Sequence, residues 1–321
     1  MQRKYVTLYM MLVVSVIVCR AQSITDTLAN DFHSVMAKNF SRYRTINLYW
    51  EMKGSHNYVF KSGGKVLDKT QKRDLHTIRV STMLPIIRYR RFSLYAGLQY
   101  TSYNFLTSEP SYIFQQKDYS QYQGGLSASY FTSLFGRPVY LSTDVSLDGW
   151  NKGFGMVQGR FVAAMIFARE ENTRFSVGMA GMTLGKVPVV LSLSYWHRFT
   201  NPNWSVDINL PSQLYLRYQI KSQRVSIEGQ MATDNFYLHT SIPELPSVCY
   251  YSEFAIKPEI LYEYIISKHF YISARAGFSV PVKGALYTKS RKEIKFSGEE
   301  VKQDRSMIPF FHVGLSYSLF K

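Results

Sequence analysis

Residues Trp204–Ile220 read WSVDINLPSQLYLRYQI, and this stretch decides the fold. On each side of Leu210-Pro211-Ser212, apolar and polar side chains alternate with a period of two. This is the spacing of a β-strand with two unlike faces. Because proline has no N–H to donate to a central ladder, we interpret the stretch as two strands joined by a turn. One bent strand across the same residues is the alternative.

The same alternation recurs almost to the C-terminus, for example over Phe92–Thr101, Val139–Asp148 and Phe270–Ser279. The strands are about ten residues long, as a tilted membrane span requires. Their second face is small and polar, and aromatic residues gather at strand ends, as in a membrane barrel. The sequence therefore predicts an all-β fold, a single transmembrane antiparallel β-barrel of about 14 strands, with 12 as the alternative count. A secreted β-sandwich is the competing interpretation of the alternation.

The connections between strands alternate between short and long, which predicts a direction for the barrel. Barrels of the outer membrane have short periplasmic turns, long extracellular loops and both termini on the periplasmic side. The short connections include Arg88–Arg91, Phe135–Pro138 and Glu170–Thr173. The long ones are Gly54–Arg73, Asn104–Ser120, Gly149–Gly155, Phe236–Tyr250 and Val282–Ser306.

The N-terminus has the features of a secretory signal peptide, predicted over residues 1–21. Basic residues precede the apolar run Met10–Val18, and Cys19-Arg20-Ala21 places small residues at a cleavage site. The mature chain then starts at Gln22. Residues 22–43 are predicted to be a periplasmic segment, with Thr25–Lys38 as a short helix or plug and a frayed tail as the alternative. Residues 44–320 are predicted to form the barrel.

Composition excludes several classes of protein. The chain has 321 residues, a net charge of +16, two cysteines and 16% aromatic residues. With one long apolar run and no cysteine framework, it is neither a polytopic helical membrane protein nor a disulfide scaffold. No nucleic-acid-binding module is present, so no nucleic-acid partner is predicted. The positive charge is expected to face outer-membrane lipid and the phosphates of lipopolysaccharide, with the loop lysines and arginines 283, 289, 291, 292 and 295 as candidates.

Two stretches carry a resemblance to a known group of proteins. These are WSVDINLPSQLYLRYQIKSQRVSIEG over Trp204–Gly229 and the ending HVGLSYSLFK over His312–Lys321. Together with the Ala-Gln cleavage site and the Tyr- and Phe-rich strands, they resemble Bacteroidota outer-membrane β-barrels of uncharacterised function. The resemblance implies a barrel in the cell outer membrane and supplies no catalytic residues. In the C-terminal strand, which the barrel-assembly machinery is expected to bind, Phe320 falls out of register with the outward row that ends at Leu319.

One weak catalytic motif is present. His239-Thr240-Ser241 has the His-x-Ser spacing found in outer-membrane barrel lipid hydrolases, where a histidine activates a serine nucleophile, and Glu244 is a candidate to orient the histidine. An ordinary polar loop is the competing interpretation, so an enzyme is not the favoured function. The seven histidines are scattered without metal-ligand spacing, and no metal or cofactor is predicted.

Charged residues within the predicted strands are assigned to the lumen, because a charge facing lipid at the midplane costs about 2–4 kcal/mol. An arginine ring would form an anion-favouring constriction, whereas cross-strand ion pairs would fill and rigidify the barrel. The lumen candidates are Arg79, Arg160, Arg174, Arg198, Arg217, Arg275, Glu228, Glu259 and Glu263. Further inward charges are Asp144, Asp207, Glu253 and Lys257.

The favoured function is a passive channel or a transporter for small solutes or lipophiles. A structural or surface-binding barrel with a filled lumen is the first alternative, and it would act through the loop Lys289–Asp304. A lipid hydrolase that uses His239 and Ser241 is the second alternative.

Overall fold

A computed structural model describes residues 36–62, 64–106, 113–182, 189–240, 242–243, 245–296, 299–304 and 306–319. The predicted signal peptide and most of the predicted helix Thr25–Lys38 lie outside the described residues. Residues 36–39 are helical, and a 3-10 turn follows at Ser41–Tyr43. Within the described part of the chain, no helix has the length and apolar character needed to cross a membrane.

The described part of the chain contains seventeen strands after the N-terminal segment. The first nine are β1 Ile46–Ser62, β2 Lys65–Tyr89, β3 Phe92–Leu106, β4 Asp118–Leu134, β5 Arg137–Trp150, β6 Gly153–Arg169, β7 Thr173–Met182, β8 Val189–Arg198 and β9 Trp204–Leu210. The remainder are β10 Gln213–Ile220, β11 Gln223–His239, β12 Val248–Ile265, β13 Phe270–Thr288, β14 Lys295–Phe296, β15 Glu299–Glu300, β16 Lys302–Asp304 and β17 Ile308–Tyr317.

The long strands close into a single antiparallel barrel. Strands β1 to β13 pair in sequence order, and β17 pairs with both β13 and β1, so the wall contains 14 strands and has no open side. Closure removes the exposed sheet edges that a membrane would leave unsatisfied. The predicted 14-strand barrel is confirmed, and the count of 12 is wrong. The short strands β14 and β15 form a hairpin, while β16 lies against β1 and β13.

The stretch Trp204–Ile220 is a hairpin, as predicted. Strand β9 ends at Leu210 and β10 begins at Gln213, so that Pro211 lies in the turn. The register places Tyr218 opposite Trp204 and Leu214 opposite Ile208. The proline therefore lies where no ladder hydrogen bond is required of it.

The wall has an apolar outer face and a polar inner face. On β11, Ile227 is 62% exposed, while Ser226 and Glu228 on either side of it are buried. On β4, Leu126 is 52% exposed and projects in the same outward direction. Because the side chains of a strand alternate between its two faces, the exposed apolar row contacts lipid and the other row lines the lumen.

Connection lengths differ only in part between the two ends of the barrel. The connections 90–91, 135–136, 170–172, 199–203, 221–222 and 266–269 all lie at one end, which we call the inner end. The outer end has the longest connections, but also the two-residue connections 63–64, 151–152 and 211–212. The predicted long loops Gly54–Arg73 and Gly149–Gly155 are therefore wrong, because β1 and β2 continue to Ser62 and Lys65, and β5 and β6 to Trp150 and Gly153. In the outer part of β1 and β2 the strands stay paired although apolar and polar residues no longer alternate in the sequence, so the pattern underestimates the length of this hairpin.

The last strand has the predicted outward row. Phe311, Val313 and Leu315 of β17 are exposed, and Ser316 between them and the end of the strand is buried. Leu319 is exposed too, just past the end of β17. Phe320, whose register was questioned, lies outside the described residues.

Candidate functional site: the barrel lumen

One side of the lumen carries buried ion pairs contributed by β1, β11, β12 and β13. Arg275 donates to Glu228 at 2.7 Å and to Glu259 at 2.5 Å. The register places the two carboxylates directly opposite each other on β11 and β12. Two facing like charges are unfavourable, and the guanidinium between them compensates both.

Further pairs continue this charged wall towards both ends. Arg44 and Arg224 both bond to Glu263, at 2.6 and 3.0 Å. Nearer the outer end, Lys53 lies 2.5 Å from Asp234, and it also reaches Glu253 at 3.4 Å. Lys257 donates to Glu51 at 2.8 Å, and the His312 ring nitrogen is 3.8 Å from the same carboxylate. Such pairs hold neighbouring strands in register while they satisfy charges that water does not reach.

The six predicted arginines lie at two levels of the lumen and not in a single ring. Tilted strands place alternating residues at different heights, which separates positions that look equivalent in the sequence. At the central level, Arg275 is buried. Arg79 lies over the Tyr49 ring and 3.8 Å from Asp234. The three arginines at the inner mouth are Arg174, Arg198 and Arg217.

Arg160 is the most accessible of the central arginines. Its side chain is 58% exposed and lies 3.9 Å from Asp144, opposite it in the register of β5 and β6. Asp207, another predicted lumen residue, is buried on β9.

A polar cavity of about 500 Å³ occupies the middle of the lumen. The charged wall forms one side through residues such as Lys257, Arg275 and His312. The facing side is lined mostly by small or neutral polar residues of β3 to β5, among them Gly97, Gln99, Gln123, Ser127 and Ser146, and it also carries the pair of Asp144 and Arg160. The ion pairs therefore fill part of the lumen and leave a hydrophilic chamber beside them.

The N-terminal segment, residues 36–45, lies inside the inner end of the barrel. Phe40 packs against Tyr215 and Leu261, and Ala37 packs against Tyr95. Apolar contacts of this kind are made with the lumen face of the wall, so the segment occupies space that would otherwise be open.

Three lumen arginines hold the same segment through polar contacts. Arg217 donates to the Asn39 carbonyl at 3.0 Å, and Arg224 donates to the Lys38 carbonyl at 2.9 Å. Arg275 reaches the Ser41 hydroxyl at 3.3 Å. Arg44 itself is fully buried, with its guanidinium carbon 3.7 Å from the Tyr271 ring centroid.

An apolar cluster, here called the outer cluster, closes the lumen at the other end. Tyr103 and Tyr119 of β3 and β4 contact Phe236 of β11, with ring centroids 4.8 and 5.1 Å apart. Strands β4 and β11 stand on opposite sides of a 14-strand wall, so this contact crosses the lumen. The outer cluster consists of Phe60, Leu75, Tyr103, Phe105, Ile113, Phe114, Tyr119, Phe236, Leu238, Leu245, Cys249, Tyr251, Leu286, Ile294 and Val301.

The segment between β13 and β17 folds over this cluster. Strands β14 and β15 form a small hairpin in this segment, and Ile294 and Val301 on either side of it are buried in the outer cluster. Arg291 forms an ion pair with Asp148 of β5, bonds to the Tyr237 hydroxyl at 3.0 Å and lies over the Tyr250 ring. The segment is thus a cover that is fixed to the wall.

The loop residues proposed to meet lipid phosphates are partly engaged within the chain. Lys283 pairs with Glu293 at 2.8 Å, and Arg291 pairs with Asp148. Contact of the loop with lipopolysaccharide stays a prediction.

The hydrolase motif cannot be placed as a pair. His239 is half-buried at the end of β11, whereas Ser241 and Glu244 lie outside the described residues. Lipid cleavage through His239 and Ser241 stays a prediction. Cys249 is buried, and its thiol faces the Pro246 carbonyl at 3.2 Å. Among the described residues, no group of three or more His, Cys, Asp or Glu side chains is arranged to hold a metal ion.

Three of the engaged cations were missed in the sequence, Lys53, Arg224 and Arg44. Lys53 shares the inward row of β1 with Glu51. Arg224 shares the inward row of β11 with Ser226 and Glu228, so the period of two contained the signal that would have found it. Arg44 precedes the first strand, and no periodicity indicates where its side chain points.

Neither the family models nor the curated proteins compared with the chain gave a match, so the resemblance to Bacteroidota barrels stays a prediction. Among solved structures, the chain is similar to an outer-membrane channel from Pseudomonas putida F1, with 7% identity, a TM-score of 0.39 and coverage of 85% of this chain and 95% of that one. The KdgM porin is similar at 10% identity and a TM-score of 0.29, with 85% and 99% covered. A mutant of the Rh. blastica porin shows 9% identity and a TM-score of 0.30, with 84% and 99% covered. None of these similarities assigns a solute to the chain. The outer-membrane-type β-barrel fold is shown by the chain's own strand pairing.

Proposed function

We propose that the protein is an outer-membrane channel for small polar solutes and that the described conformation is closed. The observation that carries the proposal is the hydrophilic cavity of about 500 Å³ in the middle of the lumen. A barrel whose interior served only as a structural core would be packed at this level, because protein interiors leave few voids larger than a water molecule.

The lining of the cavity favours polar solutes over lipophiles. Gln99 and Gln123 bring amide groups to one side, and Lys257 and Arg275 bring charges to the other. An apolar solute would remove these groups from water without replacing their hydrogen bonds, at a cost of about 1–3 kcal/mol for each group left without a partner. A hydroxylated or charged solute would provide those hydrogen bonds.

Both ends of the chamber must open for a solute to pass. The outer cluster blocks the extracellular side, where Phe236 meets Tyr103 and Tyr119 across the lumen. The N-terminal segment occupies the inner end, where it is held by hydrogen bonds and ion pairs. Conduction is therefore expected to increase when the outer cluster is truncated and the N-terminal segment is loosened in the same chain.

Solute entry into liposomes tests this function. The experiment compares swelling rates in pentose or small amino-acid solutions for wild type and for the triple variant Arg44→Ala/Phe114→Ala/Phe236→Ala. This variant weakens both closures, because Arg44 holds the N-terminal segment through Glu263. Phe278→Ala, on the lipid-facing row of β13, is the matched control. We expect faster swelling for the triple variant than for the wild type and no change for the control. Equal, background swelling for all three folded proteins would contradict the channel.

A barrel with a filled lumen is the second candidate. It is favoured by the buried ion pairs around Arg275 and by the cover that Arg291 fixes over the outer cluster. In this case the protein would act through its outer surface. Deletion of residues 289–304 would then abolish binding to cells or matrix, and liposome swelling would stay at background in every variant.

Location and assembly follow from the same architecture. The proposal places the mature N-terminus and the six short turns in the periplasm, and it places lipopolysaccharide around the outer half of the apolar face. Signal-peptide cleavage before Gln22 and recognition of β17 by the barrel-assembly machinery are parts of the proposal. Sequencing of the N-terminus of the protein recovered from outer membranes tests the first of these.

A further inference from the structure

The inner mouth holds a second cavity of about 470 Å³, separate from the central chamber. Its charged lining is almost entirely cationic. The charged residues are Lys38, Arg174, Arg198, Arg217, Lys221 and Glu171.

Arg217 differs from the other buried cations of the lumen. It is 4% exposed, and it lies within hydrogen-bonding distance of Ser226, at 3.3 Å, and of Asn39, at 3.0 and 3.4 Å. Among the described residues, no carboxylate lies within ion-pairing distance of its guanidinium. Arg44, Arg224, Arg275, Lys53 and Lys257 each have a carboxylate oxygen within 3.0 Å.

The Glu263 and Asp207 carboxylates act on Arg217 only from beyond ion-pairing distance, and Arg224 opposes them as a nearby like charge. A buried cation without a counter-ion in direct contact is costly, because neutral acceptors do not compensate for the water that the charge has lost. The Asn39 amide and carbonyl oxygens and the Ser226 hydroxyl supply only such neutral acceptors to Arg217. An anion in the adjacent cavity would supply the missing charge.

The strand register brings a second arginine beside Arg217. Ser205 of β9 lies opposite Arg198 on one side and opposite Arg217 on the other, so the two arginines flank one serine. On the next ladder, Arg174 lies opposite Trp196, with its guanidinium 5.2 Å from the indole. The register thus gathers arginines of β7, β8 and β10 at one mouth of the lumen, and a concentration of positive charge of this kind attracts anions.

We propose that the inner-mouth cavity binds a multivalent oxyanion, the phosphate or carboxylate groups of a small solute that enters from the periplasmic side. Guanidinium groups match both of these groups, since their planar N–H forks donate two parallel hydrogen bonds to a pair of oxygens. Arg217 and Arg198 are the ligands, and Ser205, which also lines the cavity, lies between them in the strand register. The inference deepens the proposed function by naming the charge of the solute.

Equilibrium dialysis of the folded protein in detergent tests binding without requiring conduction. One arm uses radiolabelled pyrophosphate and the other uses radiolabelled citrate, which separates a phosphate ligand from a carboxylate ligand. We expect saturable binding of at least one probe at about one site per chain. Absence of swelling together with such binding would reject the channel and keep the anion site.

Charge-matched variants show whether the site is specific. We expect Arg217→Gln and Arg198→Gln each to weaken binding about tenfold or more, the size of a lost charge-assisted hydrogen bond. Arg160→Gln removes the same charge from the central chamber, outside the inner-mouth lining, and should leave binding unchanged. Arg198 has an exposed side chain, so its variant keeps the test valid if Arg217→Gln does not fold. No saturable binding of either probe, or an equal loss in Arg160→Gln, would overturn the proposal.

Discussion

Replacement of Arg44 by alanine is predicted to release the N-terminal segment from the barrel. The Arg44 guanidinium bonds to Glu263 at 2.6 Å and lies 3.7 Å from the Tyr271 ring centroid. A hydrogen bond between charged groups contributes about 1.5–3 kcal/mol, and a desolvated cation–π contact contributes about 2 kcal/mol. Glu263 keeps Arg224 as a partner, which offsets part of the loss. We therefore expect the free energy that docks the N-terminal segment in the lumen to fall by about 3 kcal/mol, which weakens the docking equilibrium roughly a hundredfold.

Thiol labelling measures this change directly. Ala37 is fully buried in the docked segment, so a cysteine at this position reacts only when the segment leaves the lumen. The experiment uses a chain that lacks Cys19 and Cys249. In this chain, we expect Arg44→Ala to raise the maleimide labelling rate of Ala37→Cys roughly a hundredfold, the same factor by which docking of the segment weakens. Arg137→Ala, an arginine at the same rim whose side chain bonds to Phe167, is the control. Equal labelling rates with and without Arg44 would refute the reasoning.

Three further predictions concern the wall and the outer cover. Arg275→Met leaves two buried carboxylates without their shared cation and should lower the free energy of unfolding by about 3–5 kcal/mol in a urea titration. Ile227→Arg places a charge in lipid and should cost about 2–4 kcal/mol when the protein unfolds from bilayers, whereas Ile227→Val should change little. Asp148→Asn weakens the attachment of Arg291, and limited trypsin digestion should cleave the β13–β17 segment faster than in wild type. An unchanged digestion pattern would show that the cover does not depend on this ion pair.

The strands of the wall could be predicted because lipid and lumen impose a sequence pattern that repeats every two residues. Lipid lies on one side of the wall and a polar lumen on the other, so residues i and i+2 have the same polarity. The outward position of Ile227 and the inward position of Glu228 can therefore be predicted from the local sequence alone. Pro211 marks the break within the stretch Trp204–Ile220, and the turn there gives an even strand count. The same pattern was sufficient to assign the lumen arginines to strands.

The closures at both ends could not be derived in this way. Phe236 and Tyr103 contact each other across the lumen. This contact depends on the distance between opposite walls of the barrel, which the alternation of residues along one strand does not reveal. Arg44 enters the barrel from a segment outside the ladder, so its pairing with Glu263 depends on tertiary structure alone. Beyond the lipid, β1 and β2 continue without alternation, and the length of the hairpin was therefore underestimated.

Single-channel recording in planar bilayers tests the central claim most directly. The comparison is between wild type and the Arg44→Ala/Phe114→Ala/Phe236→Ala variant, in which both closures are weakened, and both proteins are shown to be folded by heat-modifiable migration on gels. The account predicts stepwise ionic currents that are more frequent and larger in the variant, since the central chamber is already hydrophilic and only its ends are closed. A folded variant that stays as silent as an empty bilayer would contradict the claim that this lumen conducts.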